Sequence, residues 1–180
     1  MNDLKWEDYI QFINEPKHLV NPIRDIRLFD SSFLEFFSST PWYLIPIAYG
    51  PIIVMLLSWA LEINSLPTLV FGFLIGILAW TLGEYTLHRF LFHSEDYWLP
   101  HIPKVMAFHF LLHGIHHAFP MDRYRLVFPP AAGYPIIYVF IVTPMQKLLP
   151  FEYQYAAIAG MLTAYIGYDL IHYFVHHSTP

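Results

Sequence analysis

The sequence predicts an all-α integral membrane protein with four transmembrane helices in two hairpins and a histidine-rich cap on the cytosolic side. Hydrophobic residues make up 56% of the 180 positions, and charged residues only 13%, against roughly 25% charged residues in soluble domains. Aromatic residues reach 19%, which suits the interfacial belts of membrane proteins. The length predicts a single domain, 1–180.

The residue inventory excludes several classes of function. The chain has no cysteine, which excludes disulfides, thiolate metal sites, iron–sulfur clusters and a cysteine nucleophile. A net charge of -5 does not indicate a nucleic-acid partner. The first 30 residues lack the pattern of a secretory signal peptide. Eleven histidines are the compositional outlier.

The first half of the chain predicts a polar arm followed by a helical hairpin. Residues 1–40 predict a water-side arm with one or two short amphipathic helices. Residues 41–61 carry no charge over 21 positions, enough for a spanning helix, with a bend expected at Pro46 or Pro51. After a turn at 62–67, a second helix is expected to run to about residue 93 and to project beyond the bilayer. The first hairpin is therefore 41–93.

The second half predicts the cap and a second hairpin. Residues 94–130 are too polar to span and form the cap segment, with a helix near 103–117. Residues 131–149 and 153–177 predict two further spans, so that the second hairpin is 131–177. The turns of both hairpins then face one side, and HRFLFH (88–93), HGIHH (113–117) and HYFVHH (172–177) gather on the other. Eight of the nine basic residues share the histidine side, which predicts that it is cytosolic.

Clustered histidines indicate a metal site, because neutral imidazole is a common ligand for iron, zinc and copper. Histidines three or four residues apart lie on one face of a helix. The pairs with that spacing are His113 with His116 or His117, and His172 with His176. These clusters contain more ligands than one ion needs, which favours a two-metal centre.

The first motif does not fit this spacing. His88 and His93 are five residues apart, about 140° around an ideal helix. They are expected either to bind two different ions or to lie on a distorted helix end.

Other polar residues have weaker assignments. His18, His101 and His109 are interpreted as structural. Glu84 lies four residues before His88, and Asp169 lies three before His172, so each is expected to hold a ligand by accepting its second N–H. The alternative is an interfacial acid in contact with water or lipid headgroups.

The three histidine motifs, in this order between apolar spans and with PMDRYRLVFPP following the second, resemble the fatty acid 2-hydroxylases. These form the sphingolipid-hydroxylating branch of the membrane fatty acid hydroxylase superfamily. The resemblance covers roughly residues 15–178. It implies a di-metal centre in a cytosolic cap over four membrane helices. The metal ligands that it implies are His88, His93, His113, His116, His117, His172 and His176; His177 belongs to the pattern but is not expected to be a ligand.

The resemblance also implies an activity. It is the O2-dependent hydroxylation of the 2-position of long acyl chains of sphingolipid-type membrane lipids by two iron ions, which zinc can replace in a purified sample. A separate electron donor of the cytochrome b5 type is expected. The endoplasmic reticulum membrane is the expected location, and the mitochondrial inner membrane is the alternative.

One departure from the family pattern leaves the enzyme assignment open. The family has a further H-x-x-H-H motif beyond HYFVHH, and the sequence to residue 180 does not contain it. The alternative is a catalytically degenerate hydroxylase-fold protein that serves as a structural or lipid-binding subunit of a larger membrane complex, such as a respiratory complex. Asp122, Arg123 and Arg125 are expected to order the cap or to contact a polar lipid headgroup, with Tyr124 at the substrate entry. The alternative is a salt-linked loop at the headgroup layer.

Overall fold

The computed structural model describes residues 5–17 and 26–177, and all regular elements in these ranges are helical. This confirms the all-α class. His18 lies outside the described residues. The α-helices, in chain order, are α1 (Trp6–Asn14), α2 (Ser32–Ser38), α3 (Leu44–Ile63), α4 (Leu66–Leu87), α5 (Pro103–His109), α6 (Ile115–Ala118), α7 (Pro130–Ile137), α8 (Thr143–Leu148) and α9 (Phe151–His177).

Three π-helical turns connect or extend these helices. His88–Phe92 continues α4, Phe110–Gly114 joins α5 to α6, and Tyr138–Val142 joins α7 to α8. A short 3-10 turn, Ser94–Asp96, follows the first of them. The π-helical turns replace the usual backbone hydrogen bond by one that reaches five residues back, and they are frequent at functional sites.

Two of the described helical segments are long and apolar enough to cross a bilayer. They are Leu44–Ile63, with mean hydropathy 2.0, and Leu66–Phe92, with mean hydropathy 1.9. α3 continues through Pro51. Ser65 begins α4 by accepting a hydrogen bond from the amide of Thr68, as an N-cap residue does. The spans over 131–149 and 153–177 stay predictions.

α9 is the helix against which both apolar helices pack. α4 and α9 run parallel: Gly72 meets Ala156 near their beginnings, and Trp80 meets Tyr165 further along. α3 packs on α9 as well, through Tyr49 and Tyr165, whose ring centroids are 5.1 Å apart. The two helices of the predicted first hairpin therefore contact α9 more than each other.

Glycine permits the close approach of α4 and α9. A Cβ atom on Gly76 would lie 1.9 Å from the carbonyl oxygen of Ala157, and one on Gly160 would lie 2.0 Å from that of Phe73. Small residues at such positions are the usual means by which membrane helices approach closely. Because the helices are parallel, this contact brings their histidine-bearing ends to the same level.

The predicted arm contains two helices that pack on the cap. α1 contributes Tyr9 and Ile13 to a buried apolar cluster with Leu99 and Met106. α2 is held through Arg125, whose side chain is 3% exposed. The Arg125 guanidinium donates to Glu35 Oε1 at 2.5 Å and to the Ser38 carbonyl at 2.7 Å.

Replacement of Gly76 by alanine should separate α4 from α9, because its Cβ would overlap backbone atoms. We expect Gly76→Ala to lower stability by about 1–3 kcal/mol, as overpacked cores do. Gly83→Ala is the matched control on the same helix, since a Cβ there meets nothing within 4 Å, and it should be neutral or stabilising by up to about 1 kcal/mol. Thermal unfolding in detergent measures both, and equal midpoints would contradict the packing described.

Replacement of Arg125 should release α2 and leave Asp122 buried without its partner. We expect Arg125→Met to cost about 3–5 kcal/mol, the range for breaking a buried ion pair from one side. Arg123→Met, at an exposed position in the same loop, should change stability by less than about 0.5 kcal/mol. Chemical denaturation of both variants tests this, and a tolerated Arg125→Met would show that the ion pair is dispensable.

Candidate metal centre

The seven histidines predicted as ligands lie together at one end of α4 and α9. One triad consists of His88, His93 and His113, and the other of His116, His172 and His176; within each triad one nitrogen from each ring lies within 4.8 Å of the others. His117 joins the first triad, because its Nε2 lies 2.9 Å from Nε2 of His113.

A π-helical turn brings His88 and His93 into one triad. The amide of His93 donates to the carbonyl of His88, five residues back, at 3.0 Å. The two ring centroids are 5.1 Å apart. The sequence left open whether these histidines bind two different ions or lie on a distorted helix end, and the structure has the distorted helix end.

The middle motif serves both triads. The amide of Ile115 bonds to the carbonyl of Phe110, which is again a π-type hydrogen bond. The His113 ring is next to that of His117, which is one of the two pairings that the helical spacing predicted. His116 instead meets α9, with its Nε2 3.0 Å from Nε2 of His172.

Burial keeps the cap histidines uncharged. Desolvation, followed by repulsion from His117 and the other nearby rings, places the pKa of His113 far below its usual range. The same causes, with His172 as the strongest neighbour, lower the pKa of His116 to about 3. At neutral pH these rings are therefore neutral imidazoles, the form that binds metal ions.

The donor set fits two metal ions. Each triad offers three imidazole nitrogens, and imidazole suits iron and zinc. In two pairs of rings, His113–His117 and His116–His172, the Nε2 atoms lie about 3 Å from each other. A cation bound by both nitrogens of a pair would stabilise this short distance. Nδ1 of His116 is buried without a hydrogen-bond partner among the described residues. Metal binding by His88, His93, His113, His116, His117, His172 and His176 is thus chemically consistent with the geometry.

The two predicted supporting acids lie in different surroundings. Glu84 Oε1 lies 3.5 Å from Nδ1 of His88, and the hydroxyl of Tyr168 lies 3.1 Å from the same nitrogen. Asp169 is buried beside Tyr165 and the backbone of Phe128. The expected placement is therefore seen for Glu84, whereas Asp169 faces α3 and the loop before α7.

Glu95 is a functional candidate that the sequence analysis missed. Its Oε1 lies 3.1 Å from Nδ1 of His93, and its Oε2 lies 2.8 Å from Nε2 of His109. Burial alone would raise the pKa of Glu95, but the nearby His109 ring and the backbone amide of Glu95 outweigh it, so the pKa is lower than usual. The available signal was an acid two residues after the last histidine of HRFLFH.

Three further histidines among the described residues lie outside both triads. His109 is buried in the cap and contacts Tyr9 and the carbonyl of Phe92. His101 stacks on Trp6, with ring centroids 3.9 Å apart. His177 packs against Tyr173. These positions agree with the structural interpretation of His101 and His109.

A cavity of about 740 Å³ opens beside the first triad. Its lining residues are Thr81, Glu84, Tyr85, His88, Arg89, His93, Asp96, Tyr97 and Tyr168. The predicted substrate contacts Asp122, Tyr124 and Arg125 are not among them. Arg125 and Asp122 belong to the ion-paired loop that holds α2, and the backbone of Tyr124 bonds to Thr40.

Comparison with known proteins identifies relatives over nearly the whole chain. It is 41% identical over 98% of its length to the ceramide very long chain fatty acid hydroxylase SCS7 of Saccharomyces cerevisiae, covering 45% of that protein. It is 36% identical over 97% of its length to the dihydroceramide fatty acyl 2-hydroxylase FAH2 of Arabidopsis thaliana, covering 70%. Against the human fatty acid 2-hydroxylase the identity is 35% over 97% of the chain and 50% of the relative.

The fold has a solved counterpart. The structure of full-length scs7p, in which only the hydroxylase domain is visible, superposes with a TM-score of 0.90 over 99% of this chain and 66% of that one. No family model matches the sequence. The chain spans about half the length of the yeast and human relatives. With this identity over nearly all its length, the chain belongs to the fatty acid 2-hydroxylase family, as its histidine motifs predicted.

Proposed function

We propose that this chain carries the metal centre and the acyl-chain site of a lipid 2-hydroxylase with ceramide-type substrates. The observation that carries the proposal is the pair of histidine triads beside a cavity that begins in the apolar part of α4. The yeast and Arabidopsis relatives supply the substrate class, since they are hydroxylases of ceramide and dihydroceramide acyl chains.

Two iron ions are the proposed cofactors, one at each triad, with His117 beside the first. Iron is redox-active, whereas zinc is not, and bound iron supplies the oxidation: O2, two electrons and two protons convert the C–H bond into C–OH and release one water. The electrons are proposed to come from a separate donor of the cytochrome b5 type. The endoplasmic reticulum is the proposed membrane.

The cavity orients the substrate along α4. Thr81 lies seven residues before His88, about 10 Å along a helix at 1.5 Å per residue. An acyl chain that enters from the apolar side at Thr81 would therefore present a carbon near His88 and His93. Its polar end would reach Arg89 and Tyr97, whose side chains hydrogen-bond each other at 3.1 Å.

The alternative function is that of a catalytically degenerate subunit with a structural or lipid-binding role in a larger membrane complex. None of the described residues favours it. Both triads have all their histidines close together, and the cap histidines are held neutral.

Removal of one histidine from either triad should abolish 2-hydroxylation. We expect His93→Ala and His116→Ala to lower product formation by at least about 100-fold, beyond what loss of a supporting hydrogen bond costs. The assay is mass spectrometry of 2-hydroxyceramide, with 18O supplied as O2, in membranes that contain a cytochrome b5-type donor. His101→Phe is the control, because it keeps the stack on Trp6. Near-normal product formation by either alanine variant would contradict the proposal.

The polar end of the cavity should determine substrate affinity. We expect Tyr97→Phe to raise KM for ceramide about 2–10-fold, the equivalent of one hydrogen bond, and to leave kcat unchanged, because that pattern marks lost ground-state binding. Tyr124→Phe is the matched control and tests the earlier assignment of Tyr124 to the substrate entry. If KM rises for Tyr124→Phe alone, the substrate enters at the Asp122–Arg125 loop instead.

A further inference from the structure

A line of buried polar contacts leads from the N-terminal helix to a proposed metal ligand. The hydroxyl of Tyr9 in α1 hydrogen-bonds Nδ1 of His109 in α5. Nε2 of His109 lies 2.8 Å from Oε2 of Glu95. Oε1 of Glu95 in turn lies 3.1 Å from Nδ1 of His93. Three separate segments of the chain thus meet in one line.

The chemistry of the groups fixes the direction of these contacts. Nε2 of His109 donates to the carbonyl of Phe92 at 2.8 Å, and it also lies 2.8 Å from Oε2 of Glu95, which accepts no well-aligned hydrogen bond from the described residues. Nε2 therefore carries the proton, and Nδ1 accepts from the hydroxyl of Tyr9. A carboxylate only accepts hydrogen bonds, so Nδ1 of His93 donates to Glu95, and Nε2 of His93 is left with its lone pair.

The surroundings hold these groups in place. Tyr9 and His109 are each 3% exposed, and the Glu95 side chain is 6% exposed. A buried polar group is costly unless it is hydrogen-bonded. The Tyr9 hydroxyl and the Phe92 carbonyl therefore stabilise the His109 ring, and His93 stabilises the Glu95 carboxylate. Gly114 packs against the Tyr9 hydroxyl so closely that a Cβ there would lie 3.1 Å from it. The network is therefore a rigid support behind His93.

We propose that Tyr9, His109 and Glu95 are positioning residues that fix the tautomer and ring orientation of His93, so that α1 forms part of the first metal site. The inference rests on the proposed metal centre. A carboxylate behind a metal-bound histidine orients the ring and raises its basicity. In the second triad, Nδ1 of His116 has no such partner among the described residues. The two sites are therefore inequivalent, and the network stabilises only the first.

Titration of the whole chain in detergent with Co2+ tests this. Competition with a chromophoric chelator gives the affinity of each site, and the visible spectrum reports the ligand geometry. We expect two Co2+ per chain. Glu95→Gln should weaken one of them about 10–100-fold, the usual cost of losing such a partner, shift its visible bands, and leave the other unchanged. Tyr9→Phe, which removes only a hydroxyl, should weaken the same Co2+ by a smaller factor.

The controls separate positioning from other roles. Glu7→Gln, on the exposed face of α1, should alter neither affinity. Asp96→Asn tests direct binding, because Asp96 forms a third candidate group with His93 and Glu95. If Asp96→Asn weakens the first site as much as Glu95→Gln does, the acids are ligands and the inference is overturned. Equal loss at both sites, or no loss, overturns it too. If the unsubstituted chain takes up no Co2+, the proposed metal centre itself is overturned.

Discussion

The parallel contact between α4 and α9 is the constraint on which the centre depends. Gly76 and Gly160 let each helix meet the backbone of the other, and the equal direction of the helices brings the histidines of both to one level. Any side chain at these glycines would change the separation of the two helix ends. Because His88 belongs to one helix and His172 to the other, the distance between the triads is set several turns away from them.

The end of α4 shows how local backbone geometry completes what the long helices begin. A regular helix would direct His88 and His93 about 140° apart, whereas the π-type bond between the His93 amide and the His88 carbonyl brings their rings together. A similar turn, Phe110–Gly114, contains His113 and leads into the other two histidines of the middle motif. The first two histidine motifs thus depend on irregular helix geometry, which the surrounding packing must stabilise.

The sequence predicted the helical class, and it predicted that the seven histidines gather on one side, because apolar runs and short turns determine which helix ends share a side. It did not predict that α9 packs between α3 and α4, since that choice depends on small residues meeting across helices far apart in the chain. Arg125 was ambiguous for a similar reason: its partner Glu35 lies 90 residues away. Glu95 was missed because its significance comes from His109 and the fold of the cap.

Neutral imidazoles in a buried cluster have a direct energetic consequence. Desolvation disfavours protonation of His113 and His116, and each ring further disfavours a charge on its neighbours. Protons therefore compete poorly for these nitrogens at neutral pH, which favours metal ions that bind the same lone pairs. Three imidazoles per triad also leave coordination positions for other ligands, as catalytic sites require. Burial thus keeps the cap histidines in the neutral form that a bound metal ion would require.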